Sequence, residues 1–247
     1  MGDKSAYEDA REFKDHWVQQ LIDKLKNSKS NKSTTDIKGL NMAFSNFKII
    51  GEVLKEYQVT YNKANFVEQT LFNVPDYFRE DLNEVMQDGV FSNSEFAICE
   101  NLIYPVLKEV WKKYKTKFTI WSHQSFNYDE RLSGFPEYII AKRSPLGQIV
   151  FDKPYFILVE AKQDNFEAGW AQCLAEMIAA QILNAEYPIP IFGITSNGET
   201  WQFGKLEGNN FIRNIVPYSI YELDKLFTVV NFIFQECEKQ LHNLVAV

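Results

Sequence analysis

Pro154-Tyr155-Phe156-Ile157-Leu158-Val159-Glu160-Ala161-Lys162 decides how this chain folds. The stretch from Pro154 to Val159 is apolar without a break, and such a run reads as a strand buried on both faces. Side chains two apart on a strand point the same way, so Glu160 and Lys162 share one face. A carboxylate and an ammonium at the end of a buried strand are costly to desolvate unless they are paired or bound to a metal. The chain places charge where an apolar residue would cost less, and that is how a functional site looks.

Downstream, Asp164 with Glu167 three residues on predicts the cap of a helix that runs to about Asn184. Trp170, Cys173, Leu174, Met177 and Ile178 form one side of it and Ala168, Ala175, Ala179 and Leu183 another. A helix apolar on several sides is buried on several sides. Ile189 to Thr195 reads as a strand, Ser196-Asn197-Gly198-Glu199 as a tight turn, and Thr200 to Leu206 as the returning strand. Phe211 to Val216 adds an edge strand, and an amphipathic helix follows over about 220–243.

Upstream, strands begin at Phe118 and, after the Gly134-Phe135-Pro136 turn, at Glu137. A long helix precedes them, with Ser92 and Glu95 spelling a capping box and Pro105 predicted to kink it. Earlier still, Phe13, Trp17, Leu21 and Leu25 predict an amphipathic helix over 6–27, followed by a polar loop from Asn27 to Ser33. Phe44, Phe47, Val53, Leu54 and Tyr57 predict a second helix; residues 60–90 read as mixed, with a short helix after Pro75. The chain thus divides into an N-terminal helical region, 1–90, which packs on or extends the core, and an α/β core over 91–247. A helix between strands requires a crossover, so the predicted sheet is mixed, with helices on both faces.

Apolar residues make up 45% of the 247 and aromatics 15%, which predicts a packed globular core. A net charge of −7 excludes holding nucleic acid by global charge alone. A polyanion partner would need a local basic patch or bridging metal ions. Cys99, Cys173 and Cys237 are far apart and odd in number, so they fit neither a disulfide framework nor a zinc cluster and read as buried thiols. The polar start carries no signal-peptide pattern, and no apolar run reaches membrane-spanning length. A reducing, cytoplasmic setting away from membranes is expected.

The order helix, three strands, helix, two strands, helix resembles the PD-(D/E)XK nuclease superfamily over roughly residues 92–216. Gly134-Phe135-Pro136-Glu137-Tyr138 matches its first acid and Glu160-Ala161-Lys162 its second motif. The resemblance implies a restriction-endonuclease-like α/β core, a central mixed β-sheet flanked by helices. It also implies a magnesium- or manganese-dependent deoxyribonuclease that hydrolyses phosphodiester bonds. Glu137, Glu160 and the Ala161 carbonyl would then be metal ligands, and Lys162 would stand beside the attacking water. Carboxylate oxygens suit magnesium, which activates water and neutralises charge on phosphorus, while a lysine orients the water or stabilises the transition state.

The superfamily often adds a glutamate from the helix before the sheet. Glu100 fits, because its wheel neighbours Phe96, Ala97, Ile103 and Tyr104 predict that it faces the core. Some of its families place a Gln on the following helix, and Gln172 is the match here, ahead of Glu176. One departure is the first acid, usually Asp and here Glu137. That departure and the negative charge support an alternative, a non-catalytic member of the same fold used for binding or assembly. DNA is the expected partner; RNA and self-association are left open. Lys108 to Lys117 is the densest basic run and reads first as a solvated helix end, then as a nucleic-acid patch. Val74-Pro75-Asp76 precedes the core and reads as a helix start, and His16, His123 and His242 read as isolated.

Overall fold

The computed structural model describes residues 43–245 together with Gln19, Gln20, Ile22 and Asp23. The predicted first helix, apart from those four helical positions, and the polar loop after it lie outside the described residues.

Five helices and eight strands are used below: α1 (Ile50–Tyr57), β1 (Thr60–Ala64), α2 (Asp76–Asp88), α3 (95–111), β2 (Phe118–Ser122), β3 (Tyr138–Arg143), β4 (Phe151–Ala161), α4 (Phe166–Leu183), β5 (Ile191–Ser196), β6 (Thr200–Glu207), β7 (Asn210–Asn214), β8 (Tyr218–Ser219) and α5 (Leu223–Val245). The main sheet runs β1-β7-β6-β5-β4-β3-β2, with β8 beside β6. Neighbours are antiparallel except β4 with β5 and β1 with β7. The crossover that makes β5 parallel to β4 is α4, as the sequence order requires. The architecture is therefore a mixed α/β sheet flanked by helices.

α4 covers one face. Cys173 and Met177 stand over Gly193 of β5, and an added Cβ there would lie 2.5 Å from the Met177 sulfur. α1 lies outside α4, tied on by the Ile50 N–H, which donates to Glu167 at 3.2 Å. With the sheet below and α1 above, every residue from Ala168 to Ile182 is buried. α3 and α5 cover the other face, joined by Tyr114 stacked on Phe234 and donating its hydroxyl to Asn231.

α3 starts later than the sequence predicts and carries a feature the sequence does not show. Its cap is Ser94, whose hydroxyl accepts from the Ala97 N–H at 3.1 Å, two residues later than expected. Ahead of Pro105 it widens into a π-turn over Cys99–Ile103, where the Tyr104 N–H bonds back to the Cys99 carbonyl. Proline lacks an N–H and clashes with the carbonyl four residues back, and one extra residue in the preceding turn relieves both. α4 is likewise capped one residue late, by Asn165, which accepts from the Ala168 N–H at 3.0 Å.

Before residue 91 the chain holds β1 as well as helix. β7 is therefore not the edge strand the sequence suggested, because β1 pairs with it from Thr60↔Asn210 to Ala64↔Asn214. Phe44, Val53, Tyr57, Phe72, Phe78 and Leu82 from this region join the same hydrophobic cluster as the strands. No helix among the described residues is long and apolar enough to cross a membrane.

Candidate active site

Antiparallel register brings the two distant glutamates to one end of the sheet. β3 and β4 pair at Tyr138↔Val159, so Glu137 stands opposite Glu160 one step further on. Directly opposite residues on neighbouring strands have Cβ atoms about 5 Å apart. β4 pairs in parallel with β5 at Glu160↔Thr195, which puts Thr195 on the same face. Lys162 continues that face, and its Nζ lies 2.7 Å from Glu160 Oε1 and 3.2 Å from Glu95 Oε2.

The site is closed from below by α4. Gly169 lies so close that a Cβ on it would come within 3.1 Å of Lys162 Cγ. Glycine in a helix interior costs about 1 kcal/mol against alanine, so this position serves the close approach of the lysine stem rather than the helix. One turn on, Gln172 Nε2 donates to Glu176 Oε1 at 3.4 Å, and Glu176 is fully buried. From above comes α3, where Cys99 Sγ donates to Glu137 at 3.5 Å. From the end of β2 comes His123, whose Nε2 lies 2.7 Å from Glu137 Oε2. The His123 N–H donates to the Glu137 carbonyl at 3.0 Å, which continues the β2–β3 ladder by one residue.

The electrostatics are those of acids held away from water. Glu160 has 0% exposure, and neither of its oxygens has an aligned hydrogen-bond donor; Lys162 is close but off-axis. Burial pushes the Glu160 carboxyl up to about 8; Lys162 pulls it back and Glu137 adds to the rise. Burial, then the charge of Glu160, holds Glu176 well above the usual carboxylate range. Burial pulls Lys162 down, but Glu160 and then Glu95 outweigh it and leave the ammonium more firmly charged than usual. The Cys99 thiol is pushed up by burial and by Glu137, so it stays a neutral donor.

Of the residues singled out from sequence, Glu137, Glu160, Ala161, Lys162 and Gln172 gather here, with Ala161 buried at the end of β4. Glu100 does not face the core. It lies on an outward row of α3 with Phe96, 64% exposed, and Tyr104, 36% exposed. The wheel treated those two aromatics as core residues, whereas the buried side of α3 is Cys99, Leu102, Ile103, Val106 and Leu107. The helix acid that reaches Lys162 is Glu95 instead, released from capping because Ser94 caps the helix. His123 was read as isolated, yet strand register would have found it, since it follows Ser122, the partner of Tyr138. Of the basic run, Lys112 and Lys117 are held by Glu109 and Glu238, and Lys113 lies over the Phe72 ring.

The donor chemistry suits a hard divalent cation: carboxylates of Glu137, Glu160 and Glu176 with the Thr195 hydroxyl, which also has no hydrogen-bond partner. Among the described residues, however, no three His, Cys, Asp or Glu side chains are already placed to hold a metal. Lys162 stands between Glu160 and Glu95 as the counter-charge. No family model matches the chain, and no curated protein matches it.

Proposed function

We propose that this protein is a metal-dependent nuclease-like hydrolase of phosphodiester bonds in DNA, built on a restriction-endonuclease-like core. The observation that carries the reading is Glu160. A carboxylate with no exposed surface and no aligned donor, opposite Glu137 and beside Lys162, is a costly arrangement with no benefit to packing. The element order α3-β2-β3-β4-α4-β5, with β4 and β5 parallel, agrees with the arrangement the sequence resemblance implies.

Glu137 and Glu160, with the Ala161 carbonyl, would hold magnesium or manganese, and Glu176 adds negative charge beneath them. The ion, when bound, supplies a lowered water pKa and charge neutralisation at phosphorus. Lys162 stays cationic, orients the water through its Nζ protons and offsets charge developing on the phosphate oxygens. Glu95 and Gly169 set its direction, and Gln172 holds Glu176 in place. His123 fixes the Glu137 carboxylate.

Supercoiled, linear and single-stranded DNA, each incubated with manganese, test the reading. We expect cleavage by the wild type, and loss of cleavage in Lys162→Ala with the cooperative melt retained. Cleavage at the wild-type rate by that variant would remove the mechanism. A second reading, a non-catalytic member of the same fold, is favoured by the ion bridge Glu95–Lys162–Glu160, which already satisfies the lysine. Calorimetric titration with manganese separates the two: a folded protein that takes up no metal supports the second.

A further inference from the structure

Beside the acid site runs a row of aromatic rings, Phe96, His123 and Tyr104, that stay accessible to solvent while resting on a fourth, Tyr138, which belongs to the core. Phe96 lies 5.5 Å, centroid to centroid, from the His123 ring, and His123 lies 6.2 Å from Tyr138. Tyr138 is buried and stacked at 5.7 Å, with planes 21° apart, on Tyr104. Lys108 Nζ stands 5.7 Å from the Tyr104 ring centroid. The arc thus begins one residue from Glu95, passes over His123 beside Glu137, and ends under a lysine. Phe96 is 64% exposed, an unusual amount of surface for a phenylalanine beside a charged site.

We propose that this arc is a stacking platform for unpaired nucleobases, so that the chain takes its substrate as single-stranded nucleic acid or as an unpaired end. The proposal deepens the nuclease reading and rests on it for the phosphodiester. The chemistry selects the occupant. In a closed duplex the base faces are stacked on one another and meet no side chain, whereas an unpaired base offers a π-face to any aromatic ring. The charges agree with a strand laid along the arc. Lys108 marks one end, where a phosphate would sit, and Lys162 with the proposed metal ion marks the other, while Glu100, exposed on α3 between Phe96 and Tyr104, disfavours the backbone along the middle of the row and leaves the base to meet the rings. An apolar protein segment would gain nothing from cations at both ends and an acid between them.

The test is binding without cleavage, measured by fluorescence anisotropy in calcium. The probes are a 15-nucleotide DNA strand, its RNA equivalent, the same DNA as a blunt duplex, and a strand with abasic residues in the middle. A 2-aminopurine in the single strand reports stacking through its quenching. We expect the single strands to bind at least tenfold tighter than the duplex or the abasic strand. Phe96→Ala and Tyr104→Ala are each expected to weaken single-strand binding about tenfold and to relieve the quenching. Manganese titration of both variants should match the wild type, since neither ring touches the acids. Equal affinity for duplex and single strand, or wild-type quenching by Phe96→Ala, overturns the platform while leaving the nuclease reading intact. Base stacking that survives in a protein with no manganese binding would sink the nuclease reading and keep the platform.

Discussion

Glu160 cannot pass its desolvation cost to water, so it lowers that cost by keeping a proton. Its folded pKa, raised to about 8 by burial against 4.5 for the free side chain, means the native state binds a proton that the unfolded chain has lost between those values. Stability from this group is therefore complete below about pH 4.5 and is lost as the pH rises through about 8. Glu176 acts in the same direction. We expect Glu160→Gln, which keeps the shape and removes the titration, to match the wild type at pH 5 and exceed it in melting temperature at pH 8. Melting curves that differ by the same amount at both pH values would show that Glu160 is ionised in the folded protein. The same proton must leave when a cation binds, so manganese uptake at pH 6 should release protons, detectable as buffer-dependent heat. Glu160 and Lys162 were legible in the sequence because strand alternation places them on one face. Glu176 was legible only as the candidate ranked behind Gln172 on the buried helix, and Glu95 and His123 were not legible, because each reaches the site by a tertiary route: a shifted cap and a strand register.

At the scale of elements, the site is held by two short devices that both act on α3. The β5–β6 turn is one. Gly198 has φ +87°, and a Cβ there would come 2.5 Å from Leu102 Cδ1, inside the π-turn of α3. The turn and the widened helix are thus shaped to each other. Gly198→Ala must take up both the backbone strain and the overlap, and we expect a loss of at least ~2 kcal/mol in urea denaturation. A loss below ~0.5 kcal/mol would mean that α3 moves freely over the sheet. The second device is the Ser94 cap, which frees Glu95 to hold Lys162. Ser94→Ala should cost about 1 kcal/mol in the same denaturation assay. Periodicity in the sequence found every long helix and buried strand of the core, since apolar spacing is strong there. It placed both caps early, because Ser92 with Glu95 and Asp164 with Glu167 spell the capping box, whereas the caps actually used, Ser94 and Asn165, are followed three residues on by Ala97 and Ala168. The π-turn has no local signature beyond Pro105.

For the whole molecule, the question is whether the stretch before residue 91 is an appendage or part of the body. Its strand escaped the sequence reading because Thr60-Tyr61-Asn62-Lys63-Ala64 is exposed along its length and carries no alternating apolar face. What holds it is parallel pairing to β7, reinforced by Asn62 Nδ2 donating to Asn210 and by Asn214 accepting from the Phe66 and Val67 N–H groups. The apolar residues argue more strongly. Phe72 and Phe78 lie 5.2 and 5.0 Å from Phe227 of α5, Phe44 packs on Phe126, and Val53 and Tyr57 of α1 are buried above α4. Burying one large apolar side chain contributes about 1.5–3 kcal/mol, and whole domains are stable by only about 5–15 kcal/mol. Removing five such side chains, and uncovering the outer side of the buried α4, is enough to consume that margin. We therefore expect a chain beginning at residue 91 to lose its cooperative thermal transition, bind a hydrophobic dye and aggregate, while a chain beginning at residue 43 melts cooperatively. A sharp melt with no dye binding from the 91–247 chain would show that the core stands alone and that everything before it is dispensable for the site.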